Sequence, residues 1–177
     1  MLTVEQKAAL LTLARTSVTA RVLGQSALPV VLEGMPDVSG VFVTIKHRGE
    51  LRGCLGTLAE GCRLAEEVVR CAANSASEDP RFTAVSADEL PDLHLEVSVL
   101  GPLERIVAGP GAFTIGVHGL VIEHGNRRGL LLPQVATEWD WTPVQFLRQT
   151  CIKAGLAADA WQHGADVYRF AAEVFGD

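Results

Sequence analysis

Apolar and polar positions alternate with two different periods along the chain. Leu10, Leu13, Ala14 and Val18 fall on one face of a helix predicted from Thr3 to about Leu23, with Thr3 and Gln6 at capping-box spacing and Gly24 placed to end it. A Pro/Gly-bearing irregular stretch is expected from Ser26 to Gly40. Val41 to Ile45 is then β-branched and apolar, His47-Arg48-Gly49-Glu50 turns the chain, and Leu51 begins a return, which together predict a hairpin. Leu64, Val68, Cys71 and Ala72 share one face of a second helix expected from Cys62 to about Ser77, which Pro80 prevents from continuing. Leu93 to Val99 alternates strictly and puts Leu93, Leu95, Val97 and Val99 on one face of a strand.

Farther on, Phe113–Val117, Leu120–Glu123 and Gly129–Leu132 read as three strands joined at His118-Gly119 and Gly125-Asn126. Pro143 suits the first turn of a helix reaching about Ala154, with Gly155 as its C-terminal stop, and Val167–Phe175 alternates as a final strand. Connections between consecutive strands are too short for parallel crossovers. The expected fold class is therefore α+β, a single layered domain over residues 1–177 with a largely antiparallel sheet and flanking helices.

Composition narrows the setting. The chain has 177 residues, 48% of them hydrophobic and 20% charged, enough to bury a core without disulfides or metal. Its apolar runs are too interrupted to span a membrane, and its start resembles a capped helix rather than a secretory signal, so the expected compartment is the cytoplasm. Cys54, Cys62, Cys71 and Cys151 lack metal-ligand spacing and read as free thiols. A net charge of -6 opposes nucleic-acid or anionic-membrane binding, leaving Lys46-His47-Arg48 with Arg52, and Arg127-Arg128, as local basic spots. No phosphate loop or dinucleotide turn is present, so no cofactor is expected.

Leu51-Arg52-Gly53-Cys54-Leu55-Gly56-Thr57 closely resembles the signature L-R-G-C-I-G-T of the AMMECR-one family, departing only at Leu55. Asp79-Pro80-Arg81-Phe82, Glu89-Leu90-Pro91, Leu95-Glu96-Val97-Ser98 and His118-Gly119-Leu120 resemble further family segments in order and spacing. Leu131 to Ala136, Trp139 to Phe146 and Tyr168-Arg169-Phe170 extend the likeness over nearly the whole chain, while His94 replaces a cysteine common in the family. The resemblance implies an α/β layered fold with antiparallel sheet. It also implies a place as protein A of an AmmeMemoRadiSam system, with Memo-like and radical-SAM proteins as partners, and no agreed reaction.

Within the signature, glycines flanking Cys54 permit a tight backbone with exposed N–H groups, and Arg52 adds fixed positive charge. Such a setting could hold a thiolate, a carboxylate or a phosphate. Alternatively, Cys54 packs as a small hydrophobe, Gly53 and Gly56 meet backbone demands, and Arg52 pairs with Asp79 or Glu96. Arg81 either clamps an anion with Arg52 or ties its loop to the second helix. Glu96 serves as a general base or a salt-bridge partner, and His118 as a ligand contact or a turn residue. No metal site is expected.

The leading expectation is an AmmeMemoRadiSam-type component binding an anionic small molecule or a partner protein at Arg52, Gly53, Cys54, Gly56, Arg81 and His118. Its sharper form is an enzyme with Cys54 as nucleophile, Arg52 and backbone amides stabilising negative charge, and Glu96 or a histidine moving protons. The alternative is a non-catalytic interaction module that docks a Memo-like or radical-SAM partner.

Overall fold

A computed structural model describes residues 2–26, 32, 34–36 and 38–177, with the side chains of 59–62 left out of the description. Residues 27–31, 33 and 37 of the stretch expected to be irregular lie outside these residues. The chain divides into two compact units, Met1–Leu100 with Glu173–Asp177 and Gly101–Ala172.

In the first unit, helix α1 spans Val4–Val22 and begins with the predicted box: the Thr3 hydroxyl accepts from Gln6 N–H, and the Gln6 side chain accepts from Thr3 N–H. Strands β1 (Val38–His47) and β2 (Glu50–Cys62) form the hairpin. Its two turn residues, Arg48 and Gly49, both have positive φ, at 53° and 86°, as a tight twisted connection requires. The first strand starts at Val38, inside the segment expected to be irregular. The second runs on to Cys62, where a helix was expected, because Cys62 still pairs with Val38 across a register shift. Helix α2 is Leu64–Ser77 and β3 is Leu93–Leu100, paired antiparallel to β1.

Both helices cover one face of this sheet. Leu10, Ala14, Val18, Leu64, Val68, Cys71 and Ala72 pack with Val41, Val43, Ile45, Leu95 and Val97 in one buried cluster. Sheet alternation then sends Phe42, Thr44, Lys46, Glu96 and Ser98 to the opposite face.

The second unit contains β4 (Glu104–Ile106), β5 (His118–His124), β6 (Arg127–Leu131) and most of β7 (Asp166–Gly176), all antiparallel. Helices α3 (Pro133–Glu138) and α4 (Pro143–Lys153) accompany them. Phe146, Leu147, Cys151, Leu120, Ile122 and Val167 form its core. The antiparallel α+β class holds in both units.

Two expectations fail in the second unit. Phe113–Val117 is not a strand: Val117 and His118 N–H groups return to Thr114 C=O, Gly116 has φ +78°, and Phe113 turns into the core edge-on to Phe146 at 5.9 Å. His118-Gly119 is accordingly not a turn but the start of β5, and the missing strand is β4. α3 also had no sequence expectation; Leu132 precedes Pro133 at its first turn, the position proline favours.

One close approach fixes how α2 lies on the hairpin. A Cβ on Gly53 would stand 2.1 Å from the Ser75 backbone oxygen, so only glycine lets helix and strand meet there. Gly53→Ala is expected to lower stability by about 1–3 kcal/mol. Gly109→Ala, where a Cβ meets nothing within 4 Å, should change it by less than about 0.5 kcal/mol. Urea unfolding of both variants checks this, and equal midpoints would refute the close-approach argument.

Candidate functional site

The signature stretch lies on β2, which pairs only with β1 among the described residues and so presents an open edge. That edge is filled by side chains from neighbouring segments. Cys54 N–H donates to Asp79 Oδ2 at 2.9 Å, and Cys54 C=O accepts from Arg81 Nη2 at 3.2 Å. The Asp79 carboxylate, 4% exposed, also takes Arg81 N–H at 3.1 Å, Nε at 2.9 Å and Nη2 at 2.7 Å. An aspartate and an arginine thus stand in for a neighbouring strand.

On the inner side, the Ser75 hydroxyl is inserted into the hairpin. It accepts from Leu55 N–H at 2.8 Å and donates to Val43 C=O at 2.8 Å, bridging residues that pair across the two strands. Gly56 meets a different demand, since a Cβ there would come within 2.3 Å of the Phe42 ring. Phe42 lies opposite Gly56 in register and covers the bare backbone.

Arg52 makes a fork with Glu89: Nε to Oε1 at 2.7 Å and Nη2 to Oε2 at 3.0 Å. Its remaining donors reach the carbonyls of Thr83 at 2.8 Å and Ala84 at 3.2 Å. The partner is therefore Glu89, not Asp79 or Glu96. Glu89 in turn accepts from Ser86 N–H and hydroxyl, closing the short 3-10 helix Ala87–Asp92. Arg81 pairs with Asp79, and Glu96 sits 3.4 Å from Lys46 Nζ.

The sheet face away from α1 and α2 carries the chemistry-bearing row. Cys54, Thr44 and Glu96 are register partners across β2, β1 and β3, and the Thr44 hydroxyl donates to Cys54 Sγ at 3.2 Å. Burial pushes the Cys54 thiol up, and the Thr44 bond and Arg81 charge only partly oppose it, with Asp79 and Glu96 adding to the rise. A resting thiolate is disfavoured there.

The structure brings Arg52, Gly53, Cys54, Gly56, Arg81 and Glu96 into the first unit. His118 belongs to the second, where its Nδ1 accepts from Thr114 N–H at 3.1 Å. The basic spots are each engaged: Arg48 with Asp92, Arg127 with Gly155 C=O, and Arg128 with Glu123. Among the described residues no group of His, Cys, Asp and Glu could hold a metal ion, and no helix is long and apolar enough to cross a membrane. Cys54, Cys71 and Cys151 are free thiols.

Sequence reasoning missed Thr44 and Ser75. Thr44 is the one polar residue in the Val41–Ile45 run, a signal that gains meaning only once register puts it between Cys54 and Glu96. Ser75 breaks the apolar face of α2 and is 2% exposed, but nothing in the sequence names its partners.

The ion pairs have a sign in pH. The guanidinium of Arg52, with further bonds from Ser86, holds the Glu89 carboxyl down from 4.5 to about 2. A depressed carboxyl stabilises fully above its unfolded value and loses that contribution as pH falls from about 4.5 toward 2. In urea unfolding from pH 6 to 2, the wild-type midpoint should drop more steeply below pH 4.5 than that of Glu89→Gln, which has no such group to protonate. Superimposable acid limbs would contradict the pairing.

The AMMECR1 family model matches residues 11–175. A protein of Methanothermobacter thermautotrophicus is 41% identical over 176 residues, covering 94% of this chain and 91% of its own. One from Thermofilum pendens is 39% identical, covering 98% and 91%. The crystal structure of an uncharacterized protein from Pyrococcus horikoshii superposes with a TM-score of 0.87 at 37% identity, covering 98% of this chain and 92% of that one. With the matched segments running through β2, the Asp79–Phe82 loop, β3 and the second unit, this chain belongs to the AMMECR1 family.

Proposed function

We propose that the chain is a non-catalytic interaction component of an AmmeMemoRadiSam-type system, in which the surface around Arg52, Cys54 and Arg81 docks a Memo-like or radical-SAM partner. The observation that carries this reading is that every charge of the signature region is already spent inside the protein. Arg52 is neutralised by Glu89 and Arg81 by Asp79, so a free anion would have to displace a carboxylate held by several bonds.

The chemistry of Cys54 supports the same reading. A nucleophilic cysteine needs a depressed thiol and a nearby base, whereas burial pushes this thiol up and its hydrogen-bond partner is a threonine hydroxyl that donates to it. Glu96, the candidate proton carrier, is engaged by Lys46. What remains is a rigid surface whose polar groups are fixed in place, with the Arg81 side chain 52% exposed and able to meet a partner. Binding to a preorganised surface avoids much of the ordering cost that flexible side chains would bring.

Two variants separate docking from catalysis. Calorimetry with purified Memo-like and radical-SAM partners should give affinity that falls about tenfold for Arg81→Ala and changes less than about twofold for Cys54→Ser. Alkylation of folded protein across pH should show Cys54 reacting more slowly than a denatured reference at neutral pH. Fast Cys54 labelling with a depressed midpoint, or no heat with either partner, would overturn the proposal.

A further inference from the structure

Three helices of this chain end by the same hydrogen-bonded closure. Gln25 N–H reaches Ala20 C=O at 2.8 Å after α1, Trp141 N–H reaches Ala136 C=O at 2.9 Å after α3, and Leu156 N–H reaches Cys151 C=O at 2.9 Å after α4. The closure requires a left-handed residue just beyond the cap. Gly24 (φ 66°) and Gly155 (φ 73°) fill that place after α1 and α4, but after α3 it is Asp140, at φ 51°. A side chain has been put where the same chain elsewhere uses glycine, in a conformation less favourable for any residue with a Cβ.

That residue separates two tryptophans. The Trp139 and Trp141 rings stack at 6.2 Å between centroids and 17° between planes, and Trp141 rests against the buried Phe146 at 6.4 Å. Trp139 is therefore backed by an aromatic column anchored in the core of the second unit, yet it is 68% exposed. Glu138 and Asp140 bracket it in sequence, both exposed, and neither carboxylate makes an ion pair among the described residues. Glycine in place of Asp140 would relax the backbone here, and a residue smaller than Trp139 would expose less apolar surface to water; the chain has neither.

An indole face with two carboxylates beside it in sequence suits a planar, weakly hydrated cation. A guanidinium can lie over the ring while its outward donors reach carboxylate oxygens. We infer that Glu138, Trp139 and Asp140, supported by Trp141, form a docking site for an arginine side chain presented by an extended segment of a partner protein. The site uses none of the residues on which the proposed function rests.

The test is an NMR titration of the full chain, reading the three indole N–H signals, with the peptide acetyl-Arg-Gly-Arg-Gly-amide as probe. Trp139 and Trp141 should shift while Trp161 does not, and the glutamate counterpart of the peptide should move none of them. Trp139→Ala should weaken binding about tenfold, with Trp139→Phe restoring most of it. Asp140→Gly should raise the thermal midpoint while weakening the peptide roughly threefold, and Asp140→Asn should weaken it without the gain in stability. The proposal is overturned if Trp139 and Trp141 stay unmoved at millimolar peptide, if Trp161 moves as much as they do, or if Trp139→Ala binds like wild type.

Discussion

A single buried carboxylate organises the first unit. Asp79 is almost wholly removed from solvent, and a charge in that position is tolerable only because Arg81 and two backbone N–H groups surround it. The Arg81 guanidinium holds this carboxyl well below the usual carboxylate range, so it stays ionised at any physiological pH. The charge closes the exposed edge of β2 at Cys54, the place where an open strand would invite pairing with another chain. Removing Asp79 would leave Arg81 and the Cys54 amide without their common partner.

From this interaction the rest of the signature becomes intelligible as one assembly. Pro80 ends the run that α2 began, and the loop that follows returns Arg81 to β2. Ser75, in the last turn of α2, is carried into the hairpin because Gly53 lets the helix come close. Arg52 then ties the same strand to the segment Thr83–Glu89. Three motifs that are separate in sequence are thus donor and acceptor to one another: the β2 signature, the Asp79–Phe82 loop and the Glu89-Leu90-Pro91 turn. The result is a site whose charges are internally balanced and whose thiol is pushed up by burial, the two features on which the proposed docking role rests.

Much of the fold was legible because the relevant signals are local. The Thr3/Gln6 box, Gly24, the Arg48-Gly49 turn, the strict alternation of β3 and Gly155 each state a backbone requirement within a few residues. Where the reading failed, the deciding contact was distant. Phe113–Val117 has strand-like residues, but Phe113 is drawn into the core beside Phe146, and tertiary packing overrides propensity. The site was legible as a set of residues but not as a set of partners. Arg52 was expected to meet Asp79 or Glu96, and only the path of the chain after α2 brings Glu89 to it instead. Thr44 and Ser75 carry no motif at all, and their importance comes from strand register and helix approach.

The most direct test of the central claim is native-state hydrogen exchange at the Cys54 and Leu55 amides. If Asp79 and Ser75 satisfy them as described, both should exchange as slowly as Val43 on β1, through opening of the whole unit. Rapid exchange of Cys54, typical of an unpaired edge strand, would mean that the edge is open and that the charge-balanced surface does not exist.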